Sequence, residues 1–182
     1  ENGQSRTPSW ITRSVHLVLG LGCKLFFCLP YQKRTSGLSA LERRRYLFVC
    51  NHVSLLDTIL LGGILWGTAR LPILVLGDKS VWQKNWIRRA LSAHLGLLID
   101  REHLSREVIR QLRTFGRSVE GFNLIVFPEG HRGDGEHVQE CQAGVAVIAR
   151  EARVPIVPIF IANMQRVSSR STPFRPLSGL RQ

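Results

Sequence analysis

Tyr46-Leu47-Phe48-Val49-Cys50-Asn51-His52-Val53-Ser54-Leu55-Leu56-Asp57 changes character twice. Its apolar opening, 46–50, reads as a buried strand. Its end reads as a helix start, because Ser54-x-x-Asp57 ahead of an apolar run is a capping pattern. Asn51, His52 and Val53 are left to make the turn. Strand, turn and helix together form one βα unit.

The unit repeats. Strand-like runs at 46–50, 72–76, 96–99, 123–127 and 156–161 alternate with helix-like runs at 54–66, 81–94, 103–119 and 142–152. This alternation predicts an α/β fold with a largely parallel or mixed central sheet covered by helices. No internal repeat or low-complexity segment stands out, and the tail from Ser168, rich in Ser, Pro and Arg, reads as irregular. A length of 182 residues suits one core of this kind. The chain begins at Glu1 and its only methionine is Met164, which reads as a processed chain or a piece of a longer one.

Ahead of the first strand, 10–29 is the membrane candidate. Its apolar core, 15–29, is interrupted by His16 and Lys24 and stopped by Pro30. A bilayer span needs about 20 clean apolar residues. A helix lying in the interface is therefore the expectation, with a spanning helix and an ordinary core helix as alternatives. A basic connector from Lys33 to Arg45 follows.

Lysine and arginine total 25 against 13 acids, a formal charge of +12. Such a surplus bears on partners rather than fold, and anionic membrane lipid or a phosphorylated substrate would suit it. Nucleic acid is set aside, because no basic block with interleaved aromatics, zinc-knuckle spacing or RNA-binding strand motif is present. Cys23, Cys28, Cys50 and Cys141 form no Cys-x-x-Cys pair, which fits reduced thiols on the cytoplasmic side. His131, Asp134, Glu136 and His137 are ligand types in one short loop, but their spacing matches no metal site and no metal is expected. Arg106, Arg110, Arg113 and Arg117 recur on one face of 103–119, either as a solvated face or as a contact for anionic lipid. Trp82 and Trp86, one turn apart in 81–94, suit core packing or a membrane interface equally.

The opening stretch also carries chemistry. Histidine takes a proton near neutral pH, and a carboxylate can hold its ring in one tautomer. On one continuous helix, residues five apart point about 140° away from each other. His52 and Asp57 therefore meet only if the histidine lies in the turn and the aspartate in the first helical turn. Capping and orienting are both open to Asp57, and Ser54 can start the helix that presents Asp57 to His52. A second stretch, Phe127-Pro128-Glu129-Gly130-His131-Arg132, follows the apolar run Leu124-Ile125-Val126. Pro-x-Gly ends a strand sharply, and Gly130 permits a backbone angle other residues avoid. Glu129 and Arg132 would then stand at a strand end, where open α/β sheets bind ligands, although a turn with a surface ion pair is the plainer alternative.

These two stretches, taken with Gly96-Leu97-Leu98-Ile99-Asp100-Arg101 and Val154-Pro155-Ile156-Val157-Pro158-Ile159, resemble four blocks of the glycerolipid acyltransferases in the same order. The best-known members of that family are the lysophosphatidic acid (1-acylglycerol-3-phosphate) acyltransferases. The resemblance runs from about Tyr46 to Ala162, and Lys79 fits a basic position expected before the second block. It divides the chain into an N-terminal membrane-associated helix with its connector, 1–45, and an acyltransferase domain, 46–182. It implies transfer of a fatty acyl group from acyl-CoA or acyl-carrier protein, as co-substrate and without a further cofactor, to a lysophospholipid hydroxyl. Lysophosphatidic acid, giving phosphatidic acid, is the leading acceptor. His52 would be the general base and Asp57 its orienter, the serine of a triad being replaced by the acceptor's own hydroxyl. Glu129, Gly130, Arg132, Arg101 and Lys79 would bind substrate, the cations taking the acceptor phosphate. The expected site of action is the cytoplasmic face of a membrane, the inner membrane if the source is bacterial.

Two positions depart from the family pattern. His131 stands where threonine is usual, and Gln142-Ala143 stand where a basic pair precedes the glycine. Glycerol-3-phosphate, a lysophospholipid bearing a headgroup and a lyso-aminolipid are therefore alternative acceptors. A non-catalytic module for anionic membranes is the alternative of another class.

Overall fold

The computed structural model describes residues 10–28, 35–42, 44–69, 73–99, 105–117 and 123–168. The elements run α1 (Trp10–Cys28), a 3-10 turn (Leu38–Ala40), β1 (Leu47–Cys50), α2 (Leu56–Ala69), β2 (Ile73–Asp78), α3 (Lys79–Trp82), α4 (Trp86–Leu95), β3 (Gly96–Ile99), α5 (Arg106–Arg117), β4 (Asn123–Val126), α6 (Gly144–Ala152), β5 (Ile156–Ile159) and α7 (Met164–Val167).

The sheet has five strands in the order β3-β2-β4-β1-β5, and every neighbouring pair is parallel. Parallel strands covered on both faces are apolar throughout, and Leu47-Phe48-Val49-Cys50 and Leu124-Ile125-Val126 are such runs. Alternate residues serve opposite faces. Phe48, Cys50, Ile73, Val75 and Ile125 pack with Leu61 and Leu65 of α2. Leu47, Leu74, Leu97, Leu124 and Val126 pack with Val108 and Leu112 of α5 and Ile148 and Ala152 of α6.

Strand order locates the functional edge. From β1 the chain crosses through α2 to β2, beyond β4; from β4 it crosses through α6 to β5, beyond β1. The adjacent strands β1 and β4 thus send their connections in opposite directions. Crossovers of one hand running opposite ways place their helices on opposite faces, as α2 and α6 are placed. The crevice at the carboxyl ends of such a strand pair is where open α/β sheets take ligands. Leu47↔Leu124 and Val49↔Val126 set the register, so the residues after Cys50 and after Val126 emerge side by side.

The expected single helix over 81–94 is two. The Asp78 side chain accepts the Ser80 amide at 2.7 Å and starts α3 directly at the end of β2. That short helix closes when the Gln83 amide donates to the Lys79 carbonyl, and α4 begins anew with Arg89 donating to Asn85. The two tryptophans consequently part. Trp82 lies over Gly77, where a Cβ would collide with its indole, whereas Trp86 is exposed on the next helix.

Helix α1 packs on α2, backbone close to backbone. A Cβ on Gly63 would come 3.0 Å from the Lys24 nitrogen and 3.1 Å from Cys23 Cβ. His16 is buried, its Nε2 2.8 Å from the Ile73 carbonyl, so the polar residue inside this apolar helix tethers it to β2. Leu17, Val18, Leu21 and Leu25 of the same helix are each more than half exposed. Among the described residues no helix is long and apolar enough to cross a membrane. Helix α5 packs on the other side of the sheet, where Arg113 pairs with Glu151 of α6 at 2.7 Å and Arg110 with Glu107. These partners favour a solvated, ion-paired face over a lipid contact.

Candidate active site

Asp57 is the second residue of α2 and fully buried. Its Oδ2 accepts the Val53 amide at 2.7 Å and the Ser54 amide at 2.8 Å, while the Asp57 amide donates to the Ser54 carbonyl at 3.1 Å. The Ser54 hydroxyl accepts from the Leu56 amide at 3.2 Å. This is the reciprocal helix start that the spacing announces. The same Oδ2 lies 2.9 Å from His52 Nδ1. Capping and orienting are therefore one arrangement. With its proton on Nδ1 and donated to Asp57, His52 presents Nε2 as the acceptor nitrogen. Its ring remains partly exposed, 16% by side chain, enough to meet a substrate.

Neighbouring groups restrict this pair. The His52 ring stacks on Phe127, centroids 4.1 Å apart at 21°. Asn51 clamps the strand ends, donating to the Ile161 carbonyl at 3.0 Å and accepting its amide at 2.7 Å. The nearby serine and cysteine are poorly placed as nucleophiles. Ser54 is buried as a cap, and burial pushes the Cys50 thiol pKa far up, with the charge of Asp57 adding to it.

The second motif completes the crevice from β4. Phe127 to Gly130 is a tight turn, closed by the Gly130 amide donating to the Phe127 carbonyl at 3.2 Å, with Gly130 at φ +72. Gly130 thus supplies the turn, and its amide is engaged within it. Glu129 is 1% exposed, so its carboxylate lies beneath the crevice surface and forms no ion pair with Arg132. Burial raises its pKa, offset in part by the backbone amides of His52 and Gln139 and by the His52 and His131 rings. Arg132 is half-buried on the following loop, and Lys79 is exposed where β2 ends. Arg101, which follows β3, lies outside the described residues. Parallel strands put the ends of β2 and β4 on the same sheet edge as His52. Asp134 serves its own loop, its carboxylate held down to a pKa of about 2 by the amides of His137 and Glu136 and the His137 ring.

Phe127 has no visible role within its own stretch, because its contact with His52 depends on the pairing of β1 with β4. Asn51 reads from the sequence only as a turn residue, since its partner Ile161 is distant in sequence.

Among the described residues, His52 and Asp57 form a histidine–carboxylate pair, and neither Ser54 nor Cys50 beside it is placed as a nucleophile. Residues 33–162 match the family model Acyltransferase, and the chain belongs to that family. A 1-acyl-sn-glycerol-3-phosphate acyltransferase of Cocos nucifera is 28% identical over 129 residues, 68% of this chain and 39% of that protein. A probable 1-acyl-sn-glycerol-3-phosphate acyltransferase of Mycoplasma pneumoniae is 32% identical over 120 residues, 65% of this chain and 45% of that one. A lyso-ornithine lipid O-acyltransferase of Pseudomonas aeruginosa is 31% identical over 140 residues, 76% and 50% respectively. The chain spans half or less of the length of these relatives. The crystal structure of the 1-acyl-sn-glycerophosphate acyltransferase of Thermotoga maritima shares the fold, with a TM-score of 0.63 at 20% identity, covering 88% of this chain and 63% of that one.

Proposed function

We propose that the protein moves a fatty acyl group from an acyl-CoA or acyl-carrier-protein thioester to the free hydroxyl of a lysophospholipid, with 1-acylglycerol-3-phosphate as acceptor and phosphatidic acid as product. The observation that carries this reading is the His52–Asp57 pair at the carboxyl end of β1, with Phe127 stacked on the His52 ring. His52 Nε2 removes the hydroxyl proton as the oxygen attacks the thioester carbonyl. Asp57 stabilises the imidazolium that forms. The tetrahedral intermediate then expels the thiolate: an ester C–O bond has formed, the C–S bond has broken, and the imidazolium returns its proton to the thiolate or to water. Arg132 and Lys79, joined by Arg101, take the acceptor phosphate.

A second acceptor has a specific observation behind it. The Pseudomonas relative is named for a lyso-ornithine lipid, and His131 and Gln142-Ala143 depart from the usual phosphate-binding block. A panel of lysophosphatidic acid, glycerol-3-phosphate, headgroup-bearing lysophospholipids and a lyso-aminolipid, each with both thioester donors, tests the reading. Phosphatidic acid formed fastest from lysophosphatidic acid supports it. Preference for the lyso-aminolipid moves the assignment to that acceptor, and liposome binding without thioester consumption supports the non-catalytic module.

The site of action in this proposal is the cytoplasmic face of a membrane. The exposed Leu17, Val18, Leu21 and Leu25 of α1 would lie in the lipid interface. Leu21→Gln with Leu25→Gln is expected to weaken sedimentation with anionic vesicles while leaving turnover of detergent-dispersed substrate intact. Undiminished sedimentation contradicts this placement.

A further inference from the structure

The loop that follows β4 returns to the histidine turn through its backbone. The Gly133 amide donates to the His52 carbonyl at 2.7 Å. That bond joins the residue next to Arg132 to the residue that carries the base. The neck of the loop is closed separately, by the Gln142 amide donating to the Pro128 carbonyl at 2.8 Å. The segment 127–133 therefore touches His52 at both ends, with Phe127 stacked on its ring and Gly133 bonded to its carbonyl. Arg132 is strung between these two anchors.

The φ of Gly133 is not positive, so space rather than backbone angle favours a glycine there. A Cβ at this position would come 3.2 Å from Gln139 Cγ and from Glu129 Oε2, and 3.7 Å from the His52 carbonyl oxygen. His52 has other supports. Asp57 Oδ2 lies against its Nδ1 and accepts the two amides that follow it, and Asn51 ties the turn to Ile161 through two bonds. The loop's other described ties lie toward its tip, where Asp134 accepts the Glu136 and His137 amides and Gly135 lies against Gln165 of α7. Loss of the Gly133 bond thus moves Arg132 relative to the base and leaves the base in place.

We infer that Gly133 is a positioning residue whose amide, bonded to the His52 carbonyl, sets the separation between Arg132 and the base, and so selects acceptors whose phosphate and free hydroxyl are spaced to match. The inference rests on the acyl-transfer reading above and extends it from the groups that bind to what fixes their separation. An acceptor held by its phosphate at Arg132 and by its hydroxyl at His52 Nε2 depends on that separation. An acceptor without phosphate is held at the hydroxyl alone and does not. A misplacement of about 1 Å costs on the order of 100-fold in rate.

The test compares wild type, Gly133→Ala, Gly133→Pro and a backbone ester with glycolic acid at position 133, each per folded enzyme. Lysophosphatidic acid and monoacylglycerol are the two acceptors, with one thioester donor, and the quantity read is the ratio of their kcat/KM values. The ester removes the N–H and keeps the shape of the chain. It is expected to lower the ratio roughly 3–10-fold, the size of one backbone hydrogen bond. Gly133→Pro also forces the chain away from the His52 carbonyl, and should lower the ratio on the order of 100-fold. Gly133→Ala keeps the donor and should stay within about threefold of wild type. A role confined to stability would slow both acceptors alike, and an unchanged ratio in the ester and in Gly133→Pro would overturn the inference. A wild type that does not prefer lysophosphatidic acid to monoacylglycerol would remove the phosphate clamp and the inference with it. Hydrogen exchange at the Gly133 amide gives a readout independent of turnover. It is expected to be slow in wild type, and exchange at the rate of an exposed amide would mean that the bond does not exist. This readout separates failure of the bond from failure of the proposed reaction.

Discussion

His52 Nδ1 lies 2.9 Å from Asp57 Oδ2, the same oxygen that accepts the Val53 and Ser54 amides at the start of α2. One atom fixes the tautomer of the base and the entry of the helix that carries the orienter. Asp57→Asn can still offer an oxygen to the two backbone amides, but it no longer enforces the proton on Nδ1. The expected result is a kcat lower by about 10³–10⁴-fold with the fold retained. Asp57→Ala should add a loss of about 1 kcal/mol in stability from the missing cap. Steady-state kinetics and urea melts of the two variants check this together.

Phe127 stacks on His52 at 4.1 Å. An aromatic pair contributes about 0.5–1.5 kcal/mol beyond simple burial. Phe127→Leu, which fills most of the space without the stacking face, is therefore predicted to lower kcat by roughly 3–10-fold and to leave KM for the thioester unchanged. Turnover at saturating donor, measured beside the donor KM, tests it.

Glu129 provides a pH signature. Burial raises its pKa from 4.5, so between that value and the raised one the folded state binds more protons than the unfolded state. Stability then falls as pH rises through the window, and the full cost is present above the folded pKa. Glu129→Gln removes this titration. It should be more stable than wild type at neutral pH, with the gain shrinking as pH falls toward 4.5. Glu151, whose pKa is lowered by Arg113, and Asp134 have the opposite sign but are common to both proteins and cancel in the difference. Urea unfolding across pH measures the difference curve.

Gly63 tests how firmly α1 is held. A Cβ there would press on the backbone and side chain of Cys23 at 3.1 Å. Gly63→Ala is expected to cost about 1–3 kcal/mol, the range for overpacking a close contact, and Gly63→Leu more. Thermal unfolding and protease cleavage within α1 report the result, and unchanged stability would mean that the helix is not docked as described.

Much of this was legible in the sequence because the signals are local. The alternation of apolar runs with helical stretches gives the α/β class, and Ser54-x-x-Asp57 places His52 in a turn and Asp57 on the first helical turn. What was not legible depends on distant partners. The position of β4 between β2 and β1 follows from the direction of two crossovers, and only that order brings Phe127 against His52. The spacing of the α5 arginines leaves a solvated face and a lipid contact both open, and only the packing of α6, which brings Glu151 to Arg113, decides between them. The break between α3 and α4 reflects a cap by Asp78 that starts a helix four residues long. Glu129 looked like a surface residue because it follows a turn, yet the loop after it folds back and buries it.

His52 is the proposed base that takes the acceptor's proton. The most direct measurement is single-turnover acyl transfer from a thioester to lysophosphatidic acid by wild type and His52→Ala, each verified as folded. General-base catalysis predicts a fall of about 10²–10⁴-fold in the transfer step, with thioester binding unchanged. Transfer by His52→Ala at the wild-type rate would contradict it.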